Sequence, residues 1–153
     1  MHSTQYLKYT YDEQSTQMVV QQLKRGVAIS LCAPSGTGKT TFLCHVIQKF
    51  LSQNEACFPQ DIFVVKMTHH SIDMNTQGKD CQKYRELGVD VLVCNDADKA
   101  LEGLKRKKQK QKICLVEGGR RLKLPCFVLS RDDSLDINWE APEQKYILGR
   151  VQL

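Results

Sequence analysis

The stretch Ala33–Thr41 reads "APSGTGKTT" and gathers glycines, one lysine and several hydroxyls into a short segment. Those residue types at that spacing suit the binding of a polyphosphate. In the pattern G-x-x-x-x-G-K-[ST], glycines turn successive backbone N–H groups inward around phosphate oxygens. The lysine reaches the β and γ phosphates, and the hydroxyl that follows it ligates Mg²⁺. Gly38, Lys39 and Thr40 hold the fixed positions, Ala33 stands where the first glycine belongs, and Gly36 adds a second flexible point. The candidate phosphate contacts are therefore Pro34, Ser35, Gly36, Thr37, Gly38, Lys39, Thr40 and Thr41, with Lys39 as the residue any catalysis would depend on.

A phosphate loop needs an acidic partner for its metal, commonly at the end of a neighbouring apolar strand. "CLVEGG" supplies Glu117 in that place, and a carboxylate ending a buried strand is costly without a cation or donor beside it. Thr40 and Glu117 are thus the expected Mg²⁺ residues, with Asp73 and Asp80 as weaker alternatives. A second polar cluster, "KMTHHSIDMNTQGKD" (66–80), contains His69, His70, Asp73, Gly78, Lys79 and Asp80. Each of these alone is an ordinary loop residue. Together, after a parallel strand, they fall at the carboxyl edge of a sheet, where open α/β folds bind ligands.

The elements that must position these groups alternate along the chain. A helix is expected over 12–25, with Met18, Val19 and Leu23 as its apolar stripe and Gly26 as its stop. "VAISLC" (27–32) has the mostly apolar run of a strand covered on both faces. Beyond the glycine loop, from Phe42, residues Leu43, Val46, Ile47, Phe50 and Leu51 recur on one helical face. Strands follow at 61–67, 89–94, 113–119 and 125–131, with a final one at 145–153. Helices fall at 79–88 and 96–107, the latter capped by Asp96 with Ala97, Ala100, Leu101 and Leu104 on one side. Such alternation predicts an α/β fold of three layers, a mainly parallel central sheet flanked by helices, of the P-loop NTPase kind.

At 153 residues and 41% hydrophobic composition, the chain is read as one domain, 1–153, in which 1–26 is an additional N-terminal helix. No run is long and apolar enough for a membrane span, and the start lacks the apolar core of a signal peptide, so a cytoplasmic protein is expected. The seven cysteines show no zinc-ligand spacing and are read as free thiols, with Cys32, Cys94, Cys114 and Cys126 in or beside apolar runs. The net charge of +5 owes much to "KRKKQKQK" (105–112), which has no interleaved aromatics for base stacking, so nucleic acid is not the expected partner.

The three motifs together resemble the molybdopterin-guanine dinucleotide biosynthesis protein B family. Members pair a loop like "SGTGKTT" with a lysine- and histidine-rich segment after the second strand. Lys66, Thr68, His69, His70, Asp73, Gly78, Lys79 and Asp80 fall on that pattern. Arg85 and Gly88 match its helix end, and Leu115, Val116, Glu117, Gly118, Pro125 and Arg131 match its last segment, so that the similarity runs from about Ile29 to Arg131. Met67, Ser71, Asn75, Gln77, Lys112 and Gly119 depart from the pattern, and the segment from Ala97 to Lys112 is short.

The resemblance implies GTP with Mg²⁺, slow hydrolysis, a homodimer, and assistance to a molybdopterin guanylyltransferase-type enzyme acting on the molybdenum cofactor. In that setting the loop from His69 to Asp80 senses the γ phosphate or meets the pterin. The residues themselves carry no N/T-K-x-D motif for reading guanine, and Asp132 and Asp133 fit a turn as well as a base contact. Two other functions stay open on the residues. One is a phosphotransferase in which Asp73 or Asp80 activates a small hydroxyl acceptor under Arg120 and Arg121. The other is a nucleotide-gated binding module that docks through the basic run.

Overall fold

The computed structural model describes residues 11–34, 36–68, 74–131 and 139–153, with the backbone alone over 74–80. Helix α1 (Glu13–Leu23) opens on Asp12, whose carboxylate accepts from the Ser15 N–H, and ends before Gly26 at φ 73°. Then come β1 (Ile29–Cys32), α2 (Lys39–Gln53), β2 (Ile62–Met67), α3 (Met74–Leu87) and β3 (Asp90–Cys94). The chain continues through α4 (Ala97–Lys107), β4 (Ile113–Glu117), β5 (Cys126–Ser130) and β6 (Ile147–Gln152). The strands form one sheet in the order β3-β2-β4-β1-β5-β6, and every neighbouring pair is parallel. This is the three-layer α/β P-loop NTPase fold expected from the alternation.

Period-two alternation sorts the strand residues between two cores. Ile62, Val64, Ile113 and Leu115 join Phe42, Leu43, Val46, Ile47 and Phe50 of α2, Tyr84 of α3 and Val19, Val20 and Leu23 of α1. Phe63, Val65, Cys114 and Val116 face the other way and pack with Ala100 and Leu104 of α4 and with Leu122. Burying the five α2 side chains contributes about 7 to 15 kcal/mol before chain entropy is subtracted. That helix is therefore fixed against the sheet, and its first turn cannot drift from the end of β1.

α2 begins at Lys39, inside the glycine loop, with Gly38 at φ 102° as its N-cap. Several local expectations are corrected. α3 begins at Met74, earlier than the expected 79, and its polar first turns have no apolar period to mark the start. The buried stripe of α4 is Ala100, Gly103 and Leu104, while Leu101 is 38% exposed. Gly103 takes that inward place because a Cβ there would lie only 3.1 Å from Leu92. In α1 the stripe is Val19, Val20 and Leu23, with Met18 half-buried. All seven cysteines are free, and Cys32, Cys94, Cys114 and Cys126 are buried as expected.

Candidate functional site

The glycine loop follows β1 at the carboxyl edge of the sheet, and α2 begins directly after Gly38. Gly36 and Gly38 take φ of 81° and 102°, left-handed values that the sequence meets with glycine. Inside the loop, the Thr37 hydroxyl donates to the Pro34 carbonyl at 2.7 Å, and Phe42 N–H donates back to Gly38 O at 3.0 Å. Arg131, one residue past β5, donates from Nε to Thr37 O at 2.7 Å and so braces the loop from the other side. The Lys39 ammonium folds back onto Ala33 O at 3.0 Å. Burial pulls its pKa down, an effect that the nearby Glu117 charge partly opposes. Thr41 Oγ1 accepts from Lys83 at 2.9 Å.

Glu117 is the centre of a buried polar cluster. It ends β4, is 2% exposed, and lies in register with Leu31 of β1 on one side and Lys66 of β2 on the other. Thr40 Oγ1 donates to its Oε1 at 2.6 Å and Lys66 Nζ to its Oε2 at 2.6 Å. Lys66 also reaches Thr40 Oγ1 at 3.1 Å, and the buried Tyr84 hydroxyl donates to Oε1. Burial, followed by the Glu117 charge, holds the Tyr84 pKa well above the ordinary phenol value. The phenol is therefore a proton donor at any physiological pH. A carboxylate with three donors satisfies the requirement that buried charge be paired and hydrogen-bonded.

The cleft above this cluster has a volume of about 710 Å³. It runs from Gly36, Gly38, Lys39 and Thr40 past Lys66 and Glu117, in the last residues of β2 and β4, to Thr68, Asn95, Arg120 and Trp139. Gly118 and Gly119, at φ of 89° and 73°, also line it, and a Cβ on Gly119 would collide with Leu122 at 2.7 Å. Among the described residues, exposed Arg121 makes a long 3.4 Å pair with Glu140, and the Arg120 Nε is buried without a hydrogen-bond partner.

The donor set can be compared with the metal expected there. Mg²⁺ prefers hard oxygen ligands, with one or two supplied by protein and the rest by phosphates and water. Thr40 Oγ1 and the Glu117 carboxylate offer that pair at the mouth of the loop. Among the described residues no group of three or more histidines, cysteines or carboxylates could hold a metal.

The structure thus brings Lys39, Thr40 and Glu117 together and arranges Pro34, Gly36, Thr37, Gly38 and Thr41 around them. Ser35, His69, His70, Asp73, Asp132 and Asp133 lie outside the described residues, while Gly78, Lys79 and Asp80 fall in α3 with only their backbone described. Tyr84 and Lys83 were not foreseen, and Lys66 and Arg131 had entered only as members of a pattern. The basic run lies at the end of α4 and beyond it, where Lys107 pairs with Asp90 at 2.9 Å.

The family model described as molybdopterin guanine dinucleotide synthesis protein B matches residues 28–148, well over half of the chain and further than the expected end at Arg131. The chain belongs to that family, and with it to molybdenum cofactor biosynthesis and to nucleotide binding. α1 precedes the matched stretch. No curated protein matches the chain. Among the described residues no helix is long and apolar enough to cross a membrane.

Proposed function

We propose that this member of the molybdopterin guanine dinucleotide synthesis protein B family is a GTP- and Mg²⁺-binding accessory protein. It hydrolyses GTP slowly and assists a guanylyltransferase-type enzyme that attaches GMP to molybdopterin. The observation that carries the reading is the convergence of Lys39, Thr40 and Glu117 at one helix N-terminus, with Thr40 Oγ1 2.6 Å from the carboxylate. The loop amides and the Lys39 ammonium would hold the β and γ phosphates. Thr40 and Glu117 would hold Mg²⁺, which supplies charge neutralisation at the phosphates when bound. One nucleotide-binding unit per chain, working as a homodimer, completes the proposal.

The described lining of the cleft supports slow hydrolysis. Among its described lining residues Glu117 is the sole carboxylate, and its oxygens are occupied by Thr40, Lys66 and Tyr84. It is a poor base for activating water, since proton transfer needs an acceptor free to take the proton. The test is calorimetric titration of GTP and ATP, each with and without Mg²⁺, into the wild type and Lys39→Ala. Loss of one charge-assisted contact is expected to weaken GTP binding by about 10- to 150-fold. Equal affinity in a folded Lys39→Ala protein would refute the assignment.

A second reading, phosphoryl transfer to a small hydroxyl acceptor, draws on the length of the cleft, which extends beyond the phosphate end to Asn95 and Trp139. Screening nucleosides and small alcohols as acceptors separates the two. Efficient turnover on any of them would displace the accessory role.

A further inference from the structure

Lys66 occupies the same two side chains that the preceding proposal gives to the metal. Its ammonium is 2.6 Å from Glu117 Oε2 and 3.1 Å from Thr40 Oγ1, and β-sheet register sets Lys66 directly beside Glu117 on the adjoining strand. Glu117 is buried and Lys66 partly so, with 15% of the Lys66 side chain and 3% of the Glu117 side chain exposed. A divalent cation bridging Thr40 and Glu117 would lie against this ammonium, and two positive charges that close repel strongly in a weakly solvated site. One of them must move.

We propose that Lys66 is the resident cation of the Thr40–Glu117 pair, so that a divalent metal enters only together with a nucleotide whose phosphate oxygens take over the ammonium. The inference rests on reading Thr40 and Glu117 as the metal pair. Displacing Lys66 with no phosphate present would strand a largely buried ammonium, which is costly. A polyphosphate held by the loop beside Thr40 gives that ammonium new acceptors and removes the cost. Metal and nucleotide then strengthen each other's binding by the same factor. Lys66 in this account is a positioning residue, and it selects metal–nucleotide over free metal.

The test uses Mn²⁺ alone as the probe, with free ion counted by electron paramagnetic resonance in nucleotide-free protein. Four proteins are compared: wild type, Lys66→Met, Lys66→Arg, and the double variant Lys66→Met with Glu117→Gln. The methionine variant is expected to bind Mn²⁺ more tightly than wild type or the arginine variant by about tenfold or more, and the double variant to return to weak binding. Because Lys66→Met leaves Glu117 short of a partner, melting of the same proteins is followed with and without Mg²⁺. Mg²⁺ is expected to raise the melting temperature of Lys66→Met and leave that of wild type unchanged. Equal Mn²⁺ affinity in wild type and Lys66→Met, or a Lys66→Met chain that Mg²⁺ does not stabilise, would overturn the proposal. None of these titrations contains nucleotide, so a failure of GTP binding would refute the GTP assignment and leave the Mn²⁺ outcome distinguishable from it.

Discussion

Replacing Tyr84 with phenylalanine takes one oxygen out of the buried cluster and leaves the ring, which is wholly shielded from solvent, in place. The lost contact is a hydrogen bond to a carboxylate, a type worth about 1.5 to 3 kcal/mol. Glu117 keeps Thr40 on one oxygen and Lys66 on the other, so the cost belongs at the lower end, about 1.5 to 2 kcal/mol. For a chain of this length, a shift of roughly 2 to 4 °C per kcal/mol gives a drop of about 3 to 8 °C in melting temperature. Scanning calorimetry at pH 7 and again at pH 10 to 11 is the assay. The folded-state pKa of Tyr84 is raised above the ordinary value of 10.0, so its contribution is complete below that pH and fades as pH rises beyond it. Wild type should therefore lose stability above pH 10 more steeply than Tyr84→Phe. A variant that melts within a degree of wild type at pH 7 would show that the Tyr84–Glu117 contact carries no weight.

Gly38→Ala meets two obstacles, a φ of 102° and a Cβ placed 3.0 Å from the Arg131 guanidinium. It should cost about 1 to 3 kcal/mol and weaken nucleotide binding; wild-type melting and wild-type affinity together would contradict this. His45 is held below its usual pKa mainly by burial, with Lys49 adding to the effect, and its ring lies against Tyr11. Its stabilising share is complete above pH 6.5 and declines as pH falls through that value, so the melting temperature of His45→Gln should vary less than that of wild type between pH 7 and 5. Equal slopes would remove His45 from the account of acid sensitivity.

Much of the fold was legible because parallel strands buried on both faces leave compact apolar runs, and "VAISLC", "DIFVVKM" and "ICLVE" each did so. The start of α3 was not, since Met74–Asp80 has no apolar period and its place depends on packing that lies further along the helix. The glycine loop is a local feature, carried by consecutive residues from Ala33 to Thr41. The Glu117 cluster is assembled across the sheet, and of its members only Thr40 and Glu117 carried a signal strong enough to single out. A sharper sign was present. Lys66 and Glu117 each follow four apolar residues, Ile62–Val65 and Ile113–Val116, and the register that pairs Ile62 with Ile113 sets the two charges side by side. Strand neighbours must be known before that alignment can be drawn. Tyr84 offered nothing comparable, because a tyrosine in a polar helix becomes a carboxylate donor only when α3 settles against the sheet. The stripe of α4 was misread because Gly103 has no hydrophobic weight, although its small size is what lets the helix approach Leu92.

The central claim is that backbone amides ahead of α2, aided by the Lys39 ammonium, hold a nucleotide's polyphosphate. The most direct measurement is an amide ¹H–¹⁵N titration of labelled protein with GTP and Mg²⁺. The expected result is saturable shifts concentrated at Gly36, Gly38, Lys39 and Thr40, lost in Lys39→Ala. An unmoved loop at saturating nucleotide, or shifts confined to the far edge of the sheet around β3 and α4, would contradict it.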